Sequence, residues 1–138
     1  MRAERAAKVV ILDSKNNVLI LRRSTTHPTQ AGRDDLPGGT VEPNESMEAG
    51  VVREIYEETG LEIRKEDLTC IYTKSKGQFF WHKQRNVYAV RLTTINAITM
   101  SYEHDAYSWQ PIVDVSTIEQ PYQKAVDEGN STNIWATI

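Results

Sequence analysis

Two apolar runs open the chain. Residues 6–13 (AAKVVILD) and 18–23 (VLILRR) flank the polar cluster 14–17 (SKNN), a pattern that predicts a β-hairpin. Both runs are nearly continuous in apolar residues, so the strands are expected to be buried on two faces, under helices. Residues 24–35 form a polar loop with Pro28 and Gly32, leading into Leu36-Pro37-Gly38-Gly39. Paired glycines there let backbone carbonyls and N–H groups approach a ligand closely. The period then changes. Val51, Val52, Ile55 and Tyr56 share one arc at helical spacing and are expected to supply a buried helix face. Ser46 can cap that helix, Glu48 suits the positive end of its dipole, and Gly60 can take the left-handed conformation that ends it.

Further along, 68–74 and 84–94 read as strands, the second alternating through NVYAVRL, with the Gly-marked hairpin end 76–82 (KGQFFWH) between them. Residues 106–113 read as a final strand and 114–119 as a short helical turn. Pro121 is expected at the first position of a last helix that runs through Glu128 and stops at Gly129. The polar tail 130–138, with its lone Trp135, receives no assignment from pattern. No internal repeat, low-complexity tract or linker interrupts the chain.

Composition narrows the class. At 138 residues, 39% hydrophobic and 25% charged, the chain fits one ordinary globular domain spanning 1–138. A net charge of −3 without an offsetting basic stripe argues against a nucleic-acid surface. It leaves a nucleotide substrate open, because bound metal can screen phosphates. Cys70 is the one cysteine, so no internal disulfide or Cys-rich metal site can form; in the strand-like stretch 68–72 it reads as a packed small residue. The chain has no secretory h-region and no apolar run long enough to span a bilayer, and Lys8 interrupts the most apolar N-terminal stretch. The expectation is a cytoplasmic protein with no membrane partner.

The chemistry concentrates on the helix. Glu54, Glu57 and Glu58 (spaced i, i+3, i+4) fall within an arc of roughly 100°. An acidic face of this kind either faces water or is neutralised by a hard cation, and Mg²⁺ favours such oxygen ligands, usually shared with substrate phosphates. Spacing alone does not choose between them.

The longer pattern adds to this. Gly39, Glu45, Arg53, Glu54, Ile55, Glu57, Glu58, Gly60 and Leu61 match the pattern G-x5-E-x7-R-E-U-x-E-E-x-G-U without departure, U being a bulky aliphatic residue. Its seven fixed residue types give a chance match on the order of 10⁻⁹ per register. Residues 39–61 therefore resemble the Nudix box, and the chain resembles small single-domain Nudix hydrolases of the mutator type. The resemblance implies an α+β fold, an α/β/α sandwich around a mixed sheet. It implies Mg²⁺-dependent hydrolysis of a diphosphate linkage, with Mn²⁺ able to substitute. It assigns Glu57, Glu58 and the Gly38 carbonyl as metal ligands and Glu54 as ligand or general base. Glu103, which precedes Trp109 in YEHDAYSW, matches a later glutamate that ligates metal or acts as base in relatives. Glu45 and Arg53 match positions that fix loop and helix around the catalytic groups, Arg53 by pairing with a carboxylate. Gly39 opens the box beside the substrate's path.

Some candidates stand outside the box. Arg23, preferred over its neighbour Arg22, lies where relatives present an arginine to substrate phosphate. Phe79, Phe80 and Trp81 could stack on a nucleobase, although alternation sends at least one of them away. His82 and His104 read as surface residues, Tyr88 and Trp109 as core. Asp34 replaces an aromatic residue common in relatives, which alters one wall of the pocket. The first substrate class to test is a nucleoside triphosphate, oxidised ones such as 8-oxo-dGTP included, cleaved to monophosphate and pyrophosphate. Nucleotide sugars, ADP-ribose and dinucleoside polyphosphates come next. A non-catalytic nucleotide sensor is the alternative from another class, disfavoured by the intact glutamates. An isoprenyl diphosphate isomerase lacks a second cysteine and an active-site insertion here. Dimers are frequent among relatives, so a homodimer is one expectation.

Overall fold

A computed structural model of the chain describes residues 2–28, 31–78 and 80–138. Strand β1 (Arg2–Leu12) turns through residues 13–16 into β2 (Asn17–Arg23). Asp13 Oδ1 accepts from the Lys15 N–H at 2.8 Å and the Asn17 N–H at 2.9 Å, which closes the predicted turn. Short strands β3 (Asp34–Asp35) and β4 (Gly38–Thr40) precede helix α1 (Met47–Thr59). The hairpin of β5 (Thr69–Gln78) and β6 (Trp81–Arg91), then β7 (His104–Pro111) and α2 (Tyr122–Thr132), complete the order.

One sheet holds these strands in the path β3-β2-β1-β6-β5, with β4 also on β1 and β7 on β2. The β1–β6 pair is parallel from Arg2↔Trp81 to Leu12↔Arg91 and the other pairs are antiparallel, so the sheet is mixed. The continuous apolar runs are explained by alternation between two covered faces. Val10, Leu12, Val18 and Ile20 pack under α2 with Tyr122, Ala125 and Val126. Val9, Ile11, Leu19 and Leu21 pack under α1 with Met47, Val51 and Ile55. The expected α+β sandwich holds.

Helix α1 follows its local signals. Ser46 Oγ accepts from the Ala49 N–H at 3.1 Å, and Gly60 ends the helix at φ 74° with its N–H bonded to Tyr56 O. Tyr56, however, is 56% exposed. The buried stripe is narrower than expected and centres on Val51 and Ile55.

Other departures share a cause in tertiary packing. Cys70 is exposed, because the β5–β6 register shifts between Cys70 and Tyr72 and the bulge turns Ile71 and Tyr72 toward the core instead. The helical turn expected at 114–119 falls at Ile112–Asp114, and the extended chain after it buries Val115 and Ile118. Helix α2 begins after Pro121 and runs past Gly129 to Asn133, which takes the left-handed cap. Gly129 is required for packing: a Cβ there would collide with the Trp135 indole. Trp135 itself is buried in the core and donates from Nε1 to Asn130 Oδ1 at 2.8 Å, which gives the tail its place. Tyr88 is buried as expected, and Trp109 packs at the edge of the α1-side core.

Candidate active site

Helix α1 and the β4 segment bring the box residues against the middle of β1, where Ala6, Ala7 and Lys8 pair with Thr40, Gly39 and Gly38. Gly38 sits at φ 134° so tightly that a Cβ would overlap Ala7 O, and Glu54 Oε2 would lie 2.8 Å from a Cβ on Gly39. That absence of side chains lets the helix carboxylates reach the backbone of β4. The Gly38 N–H donates to Glu58 Oε1 at 3.1 Å.

Arg53 organises the outer half of the site. Its Nε and Nη2 form a fork on Glu45 at 2.8 and 2.9 Å. Its Nη1 donates to Glu54 at 3.2 Å and to Glu57 at 3.2 Å, and Nη2 reaches Thr40 O at 3.2 Å. The Arg53 hydrogen bonds draw the Glu45 carboxyl down to about 2, and the same bonds hold Arg53 firmly charged. Burial pushes the Glu54 carboxyl above its ordinary value, with Arg53 opposing.

The inner half joins Arg23 and Glu58 to Lys8, Asp35 and His104, which pattern did not single out as site residues. Lys8 is 6% exposed and donates from Nζ to Asp35 Oδ2 at 3.1 Å and to Gly38 O at 3.2 Å. Arg23, also buried, donates to Asp35 Oδ2 at 3.1 Å and to Glu119 at 2.9 Å. Burial works against charge on Asp35, but Lys8, His104 and Arg23 outweigh it and hold the carboxyl well below the usual range. Burial likewise opposes the Lys8 charge, and Asp35 and Glu58 more than offset it. Glu58 is 3% exposed, and burial pushes its carboxyl up to about 8. Its Oε2 has no hydrogen-bond partner, nor has the buried His104 Nδ1 that lies 3.4 Å away.

A cleft of about 240 Å³ opens between these halves, with Lys8, Arg23, Gly38, Gly39, Glu54 and Glu103 among the residues on its wall. The sequence candidates are therefore only partly united. Arg23, Gly38, Gly39, Glu54 and Glu103 face the cleft; Glu58 lies against it through Gly38 and His104; Glu57 leans outward on Arg53 with its side chain 55% exposed. Among the described residues, no three of the His, Cys, Asp and Glu side chains draw together tightly enough to form a metal cluster. Glu103 stands beside His27, Oε2 to Nε2 3.8 Å, and its carbonyl accepts from Ser24 N–H at 2.8 Å.

Several expectations need correction. His104 is not a surface residue: it is buried between Asp35 and Glu58, its Nε2 3.5 Å from Asp35 Oδ2. Arg22 turns outward onto Asp105 at 2.8 Å. Asp34, in place of an aromatic, accepts from Thr117 at 2.9 Å and so ties β3 to the loop before α2. Phe80 is 76% exposed at the hairpin tip, and neither it nor Trp81 lines the cleft; Phe79 lies outside the described residues. Beyond Arg23 and Glu58, the further sequence signal of the inner half was the lysine inside an apolar strand, since a buried lysine demands an acidic partner.

A family model described as the NUDIX domain matches residues 2–129, and the chain belongs to the Nudix family. The crystal structure of the MutT protein from Methanosarcina mazei Go1 is similar at TM-score 0.78 and 28% identity, covering 96% of each chain. The putative 8-oxo-dGTP diphosphatase of Bacillus subtilis is 38% identical over 72 residues, 52% of this chain and 45% of that protein. The ADP-ribose pyrophosphatase of Methanocaldococcus jannaschii is 41% identical over 63 residues, 46% of this chain and 36% of that protein. The matched stretches span less than half the length of these curated relatives.

The donor set suits the divalent cation that this family generally uses. Glu58 presents a buried oxygen without a hydrogen bond, and the groups around the cleft include carboxylates and a carbonyl, the ligands a hard cation takes. Lys8 donates to the Gly38 carbonyl at 3.2 Å, and a carbonyl oxygen has two lone pairs.

Proposed function

We propose that this chain hydrolyses a diphosphate linkage in nucleoside diphosphate derivatives, using Mg²⁺, with Mn²⁺ able to substitute. The buried Oε2 of Glu58, without a hydrogen bond and set behind Gly38 and His104 of a cleft walled by cations and carboxylates, carries this reading. Glu54, Glu57, Glu58, Glu103 and the Gly38 carbonyl would hold the metal. Once bound, such an ion stabilises charge developing on phosphate oxygens and acidifies water.

The chain's own residues do the remainder. Lys8 and Arg23 fix positive charge on one wall, where an anionic substrate is drawn in and oriented. Arg53 is a positioning residue that holds Glu54 and Glu57 in place. Burial raises the Glu54 carboxyl, which suits it to take a proton from the attacking water at a carboxylate oxygen; Glu103, more open to solvent, is the other group that could accept it. Gly39, bare of a side chain, lets the Glu54 carboxylate lie against the β4 backbone at the cleft wall.

The substrate we favour is a nucleoside triphosphate, oxidised forms such as 8-oxo-dGTP included, cleaved to monophosphate and pyrophosphate. ADP-ribose is the second reading, because identity to the M. jannaschii ADP-ribose pyrophosphatase is of the same order as to the B. subtilis protein. A panel of nucleotides incubated with and without Mg²⁺, with product masses measured, tests the proposal. Nucleotide binding without turnover under either metal would convert the reading to a sensor.

A further inference from the structure

The β5–β6 hairpin gathers four cations that sequence order disperses. Lys74 stands directly opposite Arg85 and Lys76 opposite Lys83 in the antiparallel ladder. All four line one open cavity of about 340 Å³, closed on the far side by Glu119, Pro121 and Tyr122. This corrects the expectation that the chain carries no basic stripe. Like charges placed directly across a strand pair repel. Among the described residues none of the four forms an ion pair with a carboxylate, and Glu119 is already bonded to Arg23 at 2.9 Å.

Lysines on an edge strand also discourage edge-to-edge pairing. That accounts for Lys74 and Lys76 on β5, which ends the sheet path. It does not account for Lys83 and Arg85, which lie on β6, one strand in. The cavity also shares a wall with the candidate active site. The Tyr122 ring lies 5.9 Å from Lys8 Nζ, and Glu119 holds Arg23, while Lys8 and Arg23 face the cleft. Among the described residues Tyr122 is the one aromatic lining the cavity, and it is 5% exposed, so it offers little ring face to a nucleobase.

We propose that this basic cavity takes a phosphate on the part of the substrate remote from the cleaved linkage, so that the preferred substrates are diphosphates whose second moiety is itself phosphorylated. The proposal rests on the diphosphate-hydrolase reading and, within it, replaces the nucleoside triphosphate favoured above, which has no second phosphorylated moiety; the anion site can be measured apart from turnover. Two charge-assisted contacts to such a phosphate correspond to roughly a tenfold to hundredfold preference.

Matched pairs differing by one remote phosphate give the kinetic test: coenzyme A against dephospho-coenzyme A, and NADP against NAD, assayed with Mg²⁺. The phosphorylated member should show a kcat/KM at least about tenfold higher, carried mainly by KM and weakened by salt. In a Lys76→Gln/Lys83→Gln variant, both positions being exposed, that ratio should collapse toward one. Equal efficiency within each pair, or a variant that slows both members alike and keeps the ratio, overturns the proposal. Calorimetry with inorganic tripolyphosphate, without divalent metal, provides the readout independent of catalysis. Wild-type protein should bind at least about tenfold more tightly than the variant. If the variant binds equally well, the cavity is not an anion site, whatever the enzyme hydrolyses. If tripolyphosphate binding is variant-sensitive while no nucleotide is cleaved, the anion site stands and the hydrolase reading fails.

Discussion

Helix α1 faces two charge clusters built on opposite terms. On the outer one, a single guanidinium, Arg53, serves Glu45, Glu54 and Glu57, and water completes the solvation of what it cannot reach. On the inner one, Asp35 alone collects Lys8, Arg23 and His104, every member being buried, yet Glu58 beside them keeps an oxygen with no hydrogen bond, 3.4 Å from His104 Nδ1. Solvent screens the first cluster, so its pairs are individually worth little. Desolvation makes the second costly, so each missing partner matters. The outer cluster therefore holds a shape, while the inner one sets stability and leaves a defined site for one more positive charge.

The sharpest way to break this contrast is to remove the inner cation. Lys8→Met leaves Asp35 and Glu58 as buried acids facing an apolar side chain of similar length. A loss of about 3–5 kcal/mol in unfolding free energy is expected, read from urea denaturation. A change below about 1 kcal/mol would show that the inner cluster is solvated in a way its burial does not suggest.

Next in size comes Glu58→Gln, which keeps the volume and one acceptor but removes the charge. Turnover with Mg²⁺ should fall at least about 10²-fold, close to 3 kcal/mol of barrier. Glu57→Gln should abolish turnover as well while leaving the fold intact. The two differ in stability: Glu57 faces water, so its replacement leaves the melting profile alone, whereas removing the buried, half-satisfied Glu58 charge should stabilise the metal-free protein at alkaline pH. Retained turnover within a few-fold in both variants would end the metal assignment.

The pH profile separates the clusters further. Glu58 is pushed up to about 8 by burial, so between about pH 4.5 and 8 the folded protein binds more protons at this site than the unfolded chain. Stability then declines as pH rises through that window. Asp35 has the opposite sign: its carboxyl is held low in the fold, so the stability it contributes is present above the unfolded value near 3.8 and is lost as pH falls below it. Metal-free thermal melts should thus be highest at mildly acidic pH, and the alkaline decline should flatten in Glu58→Gln. A divalent cation should displace the Glu58 proton, binding more tightly from pH 6 to 8 and offsetting the decline in wild type. A melting temperature that climbs steadily across that window would contradict the origin assigned to the shift.

The outer cluster was readable in the sequence, and of the inner one only Glu58 and Arg23 were, for a physical reason. Glu45, Arg53, Glu54 and Glu57 lie within thirteen residues, and helix period, Ser46 and Gly60 are enough to place them together. Strands β1 and β2 were equally legible, because an apolar run without alternation already implies two covered faces. Lys8, Asp35, Glu58 and His104 come from four separate segments, brought into contact by the β2–β3, β2–β7 and β1–β4 pairings and by α1 packing against β4. Composition makes a lone histidine a surface residue by default; the fold around His104 overrides that. Gly129 misled for a related reason: as a local signal it stops a helix, whereas here it admits the Trp135 ring. The bulge that exposes Cys70 is a matter of strand register, which no single strand carries in its own pattern.

The smallest expected effect, and the most direct check on the outer cluster, is Arg53→Gln. The guanidinium makes a fork on Glu45 and single bonds to Glu54 and Glu57, but its side chain is 31% exposed and Glu57 more so. Screening by water limits each such pair to well under 1 kcal/mol, so unfolding free energy should drop by only about 1 kcal/mol, and less at high salt. Turnover should fall further than that, because without Arg53 the Glu54 and Glu57 carboxylates repel one another and leave the positions from which they would hold a cation. The two readouts must separate. A variant that loses as much stability as Lys8→Met would mean that the outer cluster bears the fold after all. One that loses neither stability nor turnover would mean that Arg53 only covers a solvated face.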